Sequence, residues 1–383
     1  MADLDVLVLG GGCAGLGLAL RLAEAGPRAP RTHVLERREE YGDDRTWCFW
    51  RTRPHRFDPL VSASWDAMTI GGEGRTTRHD CGATPYQMLS AAAYYDHALE
   101  RIEGSARVSL DLGAEVDGDP EFDGERWVVR AAHGTFTARH VVDTRPPADA
   151  PECVLWQSFL GHVVRTETPC FDPDVVTLMD FEPASARHVQ FTYVLPLSDR
   201  EALVETTVFG PRALGEAELA GDLERAIGER TGGAPWSMRR AEHGTLPMGV
   251  ASPLPTVPWI RAGLFHGGAR PSTGYAFQRI QAWAEGCADA LRSGRSPRAV
   301  TPDPALRRAM DDVFLRVLRA EPERGPELLQ RLFQRASTER VIRFLSDSGS
   351  AADALAVVRS LPPWPFLRGA GAALLRRPYQ EVG

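Results

Sequence analysis

The stretch VETTVFG at Val204–Gly210 sets one carboxylate, Glu205, within a run of β-forming residues that follows the apolar FTYVLPLS. A carboxylic acid enclosed by apolar groups has its charged form disfavoured, keeps its proton at neutral pH and can act as a proton donor. Alternation along a strand equally allows Glu205 to face solvent, so the stretch alone leaves both readings open. A second set of residues points to a ligand. GGGCAG at Gly10–Gly15 places Gly10, Gly12 and Gly15 in GxGxxG spacing around Cys13 and Ala14, and Glu36 follows about 20 residues later. In a nucleotide site, the first two glycines allow a tight turn and bring backbone N–H groups to a pyrophosphate. The third lets a helix pack closely on a sheet, and the carboxylate accepts hydrogen bonds from a ribose.

Both sets need elements to hold them. DVLVL at Asp5–Leu9 reads as a buried strand, LGLALRLAEAG as a helix with Leu16, Leu20 and Ala23 on one face, and THVLE as a second strand ending at Glu36. HVVDT at His140–Thr144 reads as another strand, ending near Asp143 and leaving through the proline-rich RPPADAP. Far downstream, GLFHGGARPSTGYAFQRIQAWAEGCADAL reads as a strand, a glycine-rich loop with Gly267, Gly268 and Gly274, and a helix starting near Gly274. A helix N-terminus behind such a loop is an anion-binding device. Two such devices suit FAD, with its pyrophosphate and ribityl chain, better than NAD. Arg45 in DDRTW is a candidate partner for flavin phosphate or an ion pair for Asp43 or Asp44.

Composition narrows the class. The chain has 383 residues, 44 Lys+Arg against 51 Asp+Glu, a net charge of −7 and 43% apolar residues, which describes a soluble protein and argues against a nucleic-acid partner. Cys13, Cys48, Cys81, Cys153, Cys170 and Cys287 are scattered without a C-x-x-C pair, so neither a disulfide framework nor a zinc site is expected, and with no signal peptide a cytoplasmic location is. His162 and His266 read as structural histidines, because no second His lies at metal-ligand spacing. No run approaches the roughly 18 apolar residues of a membrane-spanning helix. The segment from Trp65 to Arg130 reads as surface strands and loops around one helix, SAAAYYDHALERI, with Tyr86 a candidate to approach the cofactor.

Several motifs occur in a particular order: DRTWCFW at Asp44–Trp50, VVDTRP at Val141–Pro146, QSFLGHVVRTETPCFDPDVVTLMDF at Gln157–Phe181, FTYVLPLS followed by ALVETTVF, GTLPM at Gly244–Met248, and GGARPSTGYAFQRIQ at Gly267–Gln281. Together they resemble the bacterial lycopene cyclase family of flavoproteins, from about Asp5 to Ala290. The resemblance implies a mixed α/β (α+β) fold: a Rossmann-like FAD-binding domain of the glutathione-reductase/monooxygenase type, an interleaved antiparallel-sheet substrate domain and a helical C-terminal tail. The expected boundaries are 1–60, 81–150 and 244–300 for the FAD-binding domain, 61–80 and 151–243 for the substrate domain, and 301–383 for the tail. It also implies reduced FAD with NAD(P)H as reductant, lycopene or a related acyclic carotene as substrate, and acid-initiated ring closure without net redox change. Glu205 matches the position of the family's acid. Val204 replaces a second acidic residue often found there, which leaves Glu205 the sole carboxylate of the motif. PSTGY adds Ser272, Thr273 and Tyr275 to the candidate cofactor contacts. Trp47, Phe49, Trp50 and Tyr275 are candidates to face a carbocation. Asp180 in LMDF either supports the site or caps a strand.

A hydrocarbon substrate that lives in a bilayer implies peripheral contact with the inner face of the cell membrane. ALRRAMDDVFLRVLRA, ELLQRLFQRA and ADALAVVRSLPPWPFLRGAGAALLRRPY carry apolar residues at helical spacing with arginines alongside, which suits an interfacial element or a core-facing helix. PPWPFL reads as a proline-rigid turn that presents Trp and Phe at headgroup depth. Flavin monooxygenases, halogenases and polyprenyl reductases are rival enzymes on the same scaffold. The oxygenases usually have an Asp in the downstream glycine loop, and HGGARP has none. A non-catalytic lipid-binding flavoprotein would lack the acid.

Overall fold

The computed structural model describes residues 4–72, 74–250 and 257–374. Leu4–Leu9 lies in the middle of a seven-stranded sheet. It pairs in parallel with Thr32–Leu35 on one side and with the second half of Gly134–Asp143 on the other. Val108–Asp111 extends the parallel part, and Trp127–Ala131 and Val116–Phe122 extend the other edge antiparallel. Ile260–Arg261 pairs with the end of Gly134–Asp143. Val6 to Leu9 are buried on both faces, which is why this strand reads as an unbroken apolar run. The helix Cys13–Glu24 packs against the helices Ala91–Glu103 and Phe277–Arg292 as well as the sheet. The sequence marks one apolar face on it; in the fold Leu16, Leu18, Leu20 and Leu22 are all fully buried, because neighbours enclose the helix on several sides.

A second seven-stranded sheet runs in the order Trp236–Val250, Cys153–Thr166, Glu201–Gly210, Val189–Pro196, Val175–Phe181, Ala67–Gly72, Arg75–Asp80. Its pairs are antiparallel except Val175–Phe181 with Ala67–Gly72. The strand Trp236–Val250 runs straight through position 244, where the sequence reading sets a domain boundary. One face of the sheet is covered by the helix Glu216–Thr231, whose Leu219, Leu223, Ala226 and Ile227 pack on Leu160, Val164, Val194, Ala202, Val204 and Val208. Thr46–Trp50, Tyr86–Ser90 and Ala63–Trp65 form a small third sheet.

The C-terminal helices Ala305–Ala320, Gly325–Arg335, Thr338–Leu345, Ala351–Ser360 and Pro363–Leu374 close the fold, and the first of them packs on Cys153–Thr166 and Trp236–Val250. Two sequence expectations shift here. PPWPFL is the start of a helix, which Pro363 opens because a proline in the first helical turn has no N–H to leave unpaired. The helix expected from Gly274 starts at Phe277, since Gly274 has a left-handed φ of +71° and ends a turn closed by the Gly274 N–H on the Arg270 carbonyl. The basic end of the tail motif, 375–379, lies outside the described residues.

Candidate active site

Strand alternation decides what faces inward. On Glu201–Gly210 the even-numbered Ala202, Val204 and Val208 pack toward the helix Glu216–Thr231, and the odd-numbered Leu203, Glu205, Thr207 and Phe209 line a cavity of about 1040 Å³. Glu205 therefore faces the cavity and is 8% exposed. Val204, expected to matter by removing a rival carboxylate, lies on the opposite face, so a carboxylate there would not enter the cavity. The rival comes from another strand. Gly161 of Cys153–Thr166 stands in register with Glu205 on one side and with Glu242 of Trp236–Val250 on the other. Glu242 is 6% exposed and lines the same cavity. Glu205 is the sole carboxylate of its own motif, but the sheet order brings a second carboxylate to the cavity from outside it.

The two carboxyls have different partners. Thr207 Oγ1 donates to Glu205 Oε1 at 2.6 Å. Glu242 Oε2 accepts from Thr46 Oγ1 at 2.8 Å and Arg240 Nη1 at 2.6 Å. Burial, followed by the charge of Glu242, pushes the Glu205 carboxyl up to about 8, with the Thr207 hydrogen bond and Arg240 opposing. Burial also raises Glu242, while Arg240 and Thr46 favour its charged form. Glu205 is therefore mostly protonated at pH 7 and has the environment of a carboxylic acid donor.

The same cavity is lined by Gly10, Gly12, Cys13, Ala14 and Glu36 from the first sheet and by Thr273, Gly274 and Tyr275 from the downstream loop. The turn is built for close approach: Gly10 has φ +91°, and a Cβ on Gly15 would lie 1.9 Å from the Gly10 carbonyl oxygen. Glu36 Oε2 accepts from the Gly11 N–H at 2.5 Å, and Oε1 from the backbone and Nε of Arg38. Burial pushes Glu36 up, but these hydrogen bonds outweigh it and hold the carboxylate below its usual range. Arg45 lines the cavity and pairs with Asp44 at 2.7 Å. Gln157 Oε1, next to Gly274, is buried without a protein hydrogen-bond partner and can accept from a ligand N–H. The glycine turn, the acidic strand end and this free acceptor fit a dinucleotide whose other end carries a hydrogen-bonding ring.

Other predicted residues sit behind the lining. Asp143 is buried and grips Arg145, which does line the cavity. Gly267 and Gly268 shape the loop, and the Gly268 N–H bonds the Gly263 carbonyl. Ser272 turns away to donate to Asp311 at 2.7 Å. Asp180 pairs with Arg230, and burial lowers the pKa of both His162 and His266. Among the described residues no cluster of three His, Cys, Asp or Glu could hold a metal ion. Of the aromatic candidates, Trp47 and Tyr275 reach the cavity, whereas the consecutive Phe49 and Trp50 are buried in two different cores. Sequence reasoning missed Phe191, Tyr193 and Phe209, which face the cavity at alternate positions on neighbouring strands. It also missed Glu242, although Arg240, Glu242, Gly244 and Leu246 alternate into the recognised GTLPM motif.

The architecture is that of flavin-dependent monooxygenases and related reductases. p-Nitrophenol 4-monooxygenase PnpA of Pseudomonas putida superposes with a TM-score of 0.62 at 16% identity, covering 99% of this chain and 100% of that one. A geranylgeranyl bacteriochlorophyll reductase-like protein of Thermoplasma acidophilum gives 0.62 at 14% identity, covering 96% and 98%. Within that architecture the chain belongs to the lycopene cyclase protein family, whose model matches residues 5–370. Lycopene beta-cyclase of Pseudescherichia vulneris is 27% identical over 405 aligned positions, covering 97% of each chain. The match continues through the helical tail, well beyond the Ala290 at which the motif resemblance thins.

Proposed function

We propose that this protein is a carotenoid cyclase that closes the ψ-end groups of lycopene, or a related acyclic carotene, to β-ionone rings without net redox change. The observation that carries this reading is a buried Glu205, its carboxyl pushed up by that burial, in the same cavity as the glycine turn of a dinucleotide motif. Glu205 gives its proton to an alkene carbon, the cation closes the ring, and the Glu205 carboxylate that results can take a proton back. Phe191, Tyr193, Phe209 and Trp47 line the same cavity and supply aromatic rings whose quadrupoles attract a cation. When bound and reduced, with NAD(P)H as donor, FAD would supply negative charge to stabilise the carbocation. Gly10, Gly12, Cys13, Ala14, Gly15 and Glu36 would hold its adenosine diphosphate half. Gly267, Gly268, Ser272, Thr273, Gly274 and Tyr275 form or shape the second loop, with Arg45 and Asp143 at its margins. In this reading 1–60, 81–150 and 244–300 make the FAD half, 61–80 and 151–243 the carotene half, with Trp236–Val250 bridging them, and 301–383 the helical region.

The structural neighbours include redox enzymes, so the test must separate ring closure from oxidation and reduction. In cells that accumulate lycopene, expression is expected to yield a ring-bearing carotene of unchanged mass, read by chromatography and mass spectrometry. A product with added oxygen or hydrogen would select a monooxygenase or reductase instead.

The carotene must enter from a bilayer, and we place the docking face on the last helices, at the inner face of the cell membrane. Among the described residues no helix is long and apolar enough to cross a membrane. Trp364 is 75% exposed and Leu367 61%, with Leu355 and Val358 also exposed and Arg359 and Arg368 nearby in sequence. Exposed apolar side chains with arginines close by in sequence suit an anionic interface. The protein is expected to float with vesicles containing anionic phospholipid, and the double variant Trp364→Ser/Leu367→Ser to bind them at least severalfold more weakly. Equal flotation would remove this face from the reading.

A further inference from the structure

Glu205 needs a reason to hold its proton at neutral pH, and burial is only part of it. Gly161 separates it from a second carboxyl: residues 205, 161 and 242 lie side by side across three neighbouring strands. In-register residues on adjacent strands share a face, and Glu205 and Glu242 both line the cavity. The central position has no side chain to screen one from the other. A Cβ on residue 161 would already lie 3.2 Å from Glu205 Cβ and 3.0 Å from Leu203 Cδ1.

The cationic partner is on the Glu242 side. Arg240 reaches Glu242 at 2.6 Å and Asp43 at 3.2 Å, so one guanidinium is shared by two carboxylates. Thr46 both donates to Glu242 and accepts from Arg240 Nη2 at 2.7 Å. Both donors to Glu242 meet Oε2, so Oε1 receives neither. Tyr193 is the strand partner of Glu205, with Cys48, Tyr86 and Tyr275 from the small sheet and the downstream loop in the cavity lining. Burial keeps these three phenols and the thiol neutral. Glu242 and Arg240 are thus the charged groups that act on Glu205, and Arg240 is divided between Glu242 and Asp43.

We propose that Glu242, clamped by Arg240 and Thr46 across Gly161, is a positioning residue whose negative charge keeps Glu205 loaded with its proton for ring closure. This rests on the cyclase reading above, in which Glu205 is the acid. An acid that must both give and regain a proton works best with a pKa near the operating pH. Without a neighbouring anion Glu205 would ionise more readily and spend less time loaded.

The test is an infrared pH titration of the holoprotein, following the protonated carboxyl band that Glu205→Gln removes. Wild type is expected to lose this band as pH rises through about 8. Glu242→Gln is expected to lower the midpoint by about one pH unit or more, since it removes a like charge and leaves Arg240. Glu242→Asp, which keeps the charge, is expected to restore it to within a few tenths of a unit. The alkaline limb of cyclisation with lycopene in liposomes should move with the band. An unshifted midpoint in folded Glu242→Gln, or a wild type with no band that Glu205→Gln removes, overturns the inference. A purely structural role would lower activity at every pH and leave the limb in place. If Glu205→Gln itself still cyclises lycopene, the acid assignment fails, whatever the titration shows.

Discussion

Glu205→Gln is expected to abolish ring formation, with a loss of at least about 10³-fold, while flavin content and folding stay at the wild-type level. General acids commonly contribute 10²–10⁴-fold, and an alkene is so weak a base that water cannot readily replace a positioned donor. Glutamine keeps the size of the side chain and can still meet Thr207 Oγ1, but it has no acidic proton. Flavin binding should survive because the glycine turn belongs to the other sheet. The pH dependence has a definite sign. In the proposed role Glu205 acts only when protonated, so wild-type activity should be full well below about 8 and fall as pH rises through it. Measurement of cyclised carotene with pre-reduced FAD across neutral and alkaline pH reads both effects. Substantial activity in Glu205→Gln would move the acid elsewhere in the cavity.

Arg270→Ala should be the most destabilising single change in the loop that carries PSTGY. Arg270 is 0% exposed, and its guanidinium meets Asp311 at 3.2 Å, Asp347 at 3.3 Å and the Phe344 carbonyl. It also lies over the Phe344 ring, 4.4 Å from its centroid. Asp311 belongs to the helix Ala305–Ala320, and Asp347, the one described non-glycine residue with positive φ, follows Thr338–Leu345. Arg279 and Arg307 pair with Asp347 and Asp303, so the loop and the tail are joined by one ion network. Removing one member of a buried pair leaves an uncompensated charge, which costs about 3–5 kcal/mol. Arg270→Ala is therefore expected to lower the thermal midpoint by roughly 4–6 °C. Arg270→Lys, which keeps the charge without the planar fork, should fall between the two. Calorimetry or near-ultraviolet circular dichroism would measure this. A midpoint within about 1 °C of wild type would mean that the network contributes little to stability.

The same loop shows why part of the site was legible in the residues and part was not. Gly10, Gly12, Gly15 and Glu36 announce themselves because a strand, a turn and a helix are local structures whose residue spacing is set by backbone geometry. Ser272 belongs to a recognisable motif, yet its hydroxyl faces Asp311, some 40 residues away in the chain. No local pattern reveals that partner. Trp47, Phe49 and Trp50 were grouped by proximity in sequence; the period of two in a strand puts Trp50 on the face opposite Trp47 and Phe49, and of the two that share a face Phe49 is enclosed in the core, so only Trp47 of the three lines the cavity.

What the residues by themselves determined is the βαβ unit with its glycine turn, the family and Glu205 as a carboxyl on an apolar strand. All of these rest on short-range spacing or on motif order along the chain. Tertiary structure alone decided that Glu205 faces inward, that Val204 does not share its face, and that Glu242 does. The physical reason is strand order: Glu205 and Glu242 become neighbours only because both their strands pair with Cys153–Thr166, and hydrogen-bond register across a sheet brings together residues that no spacing in the sequence relates.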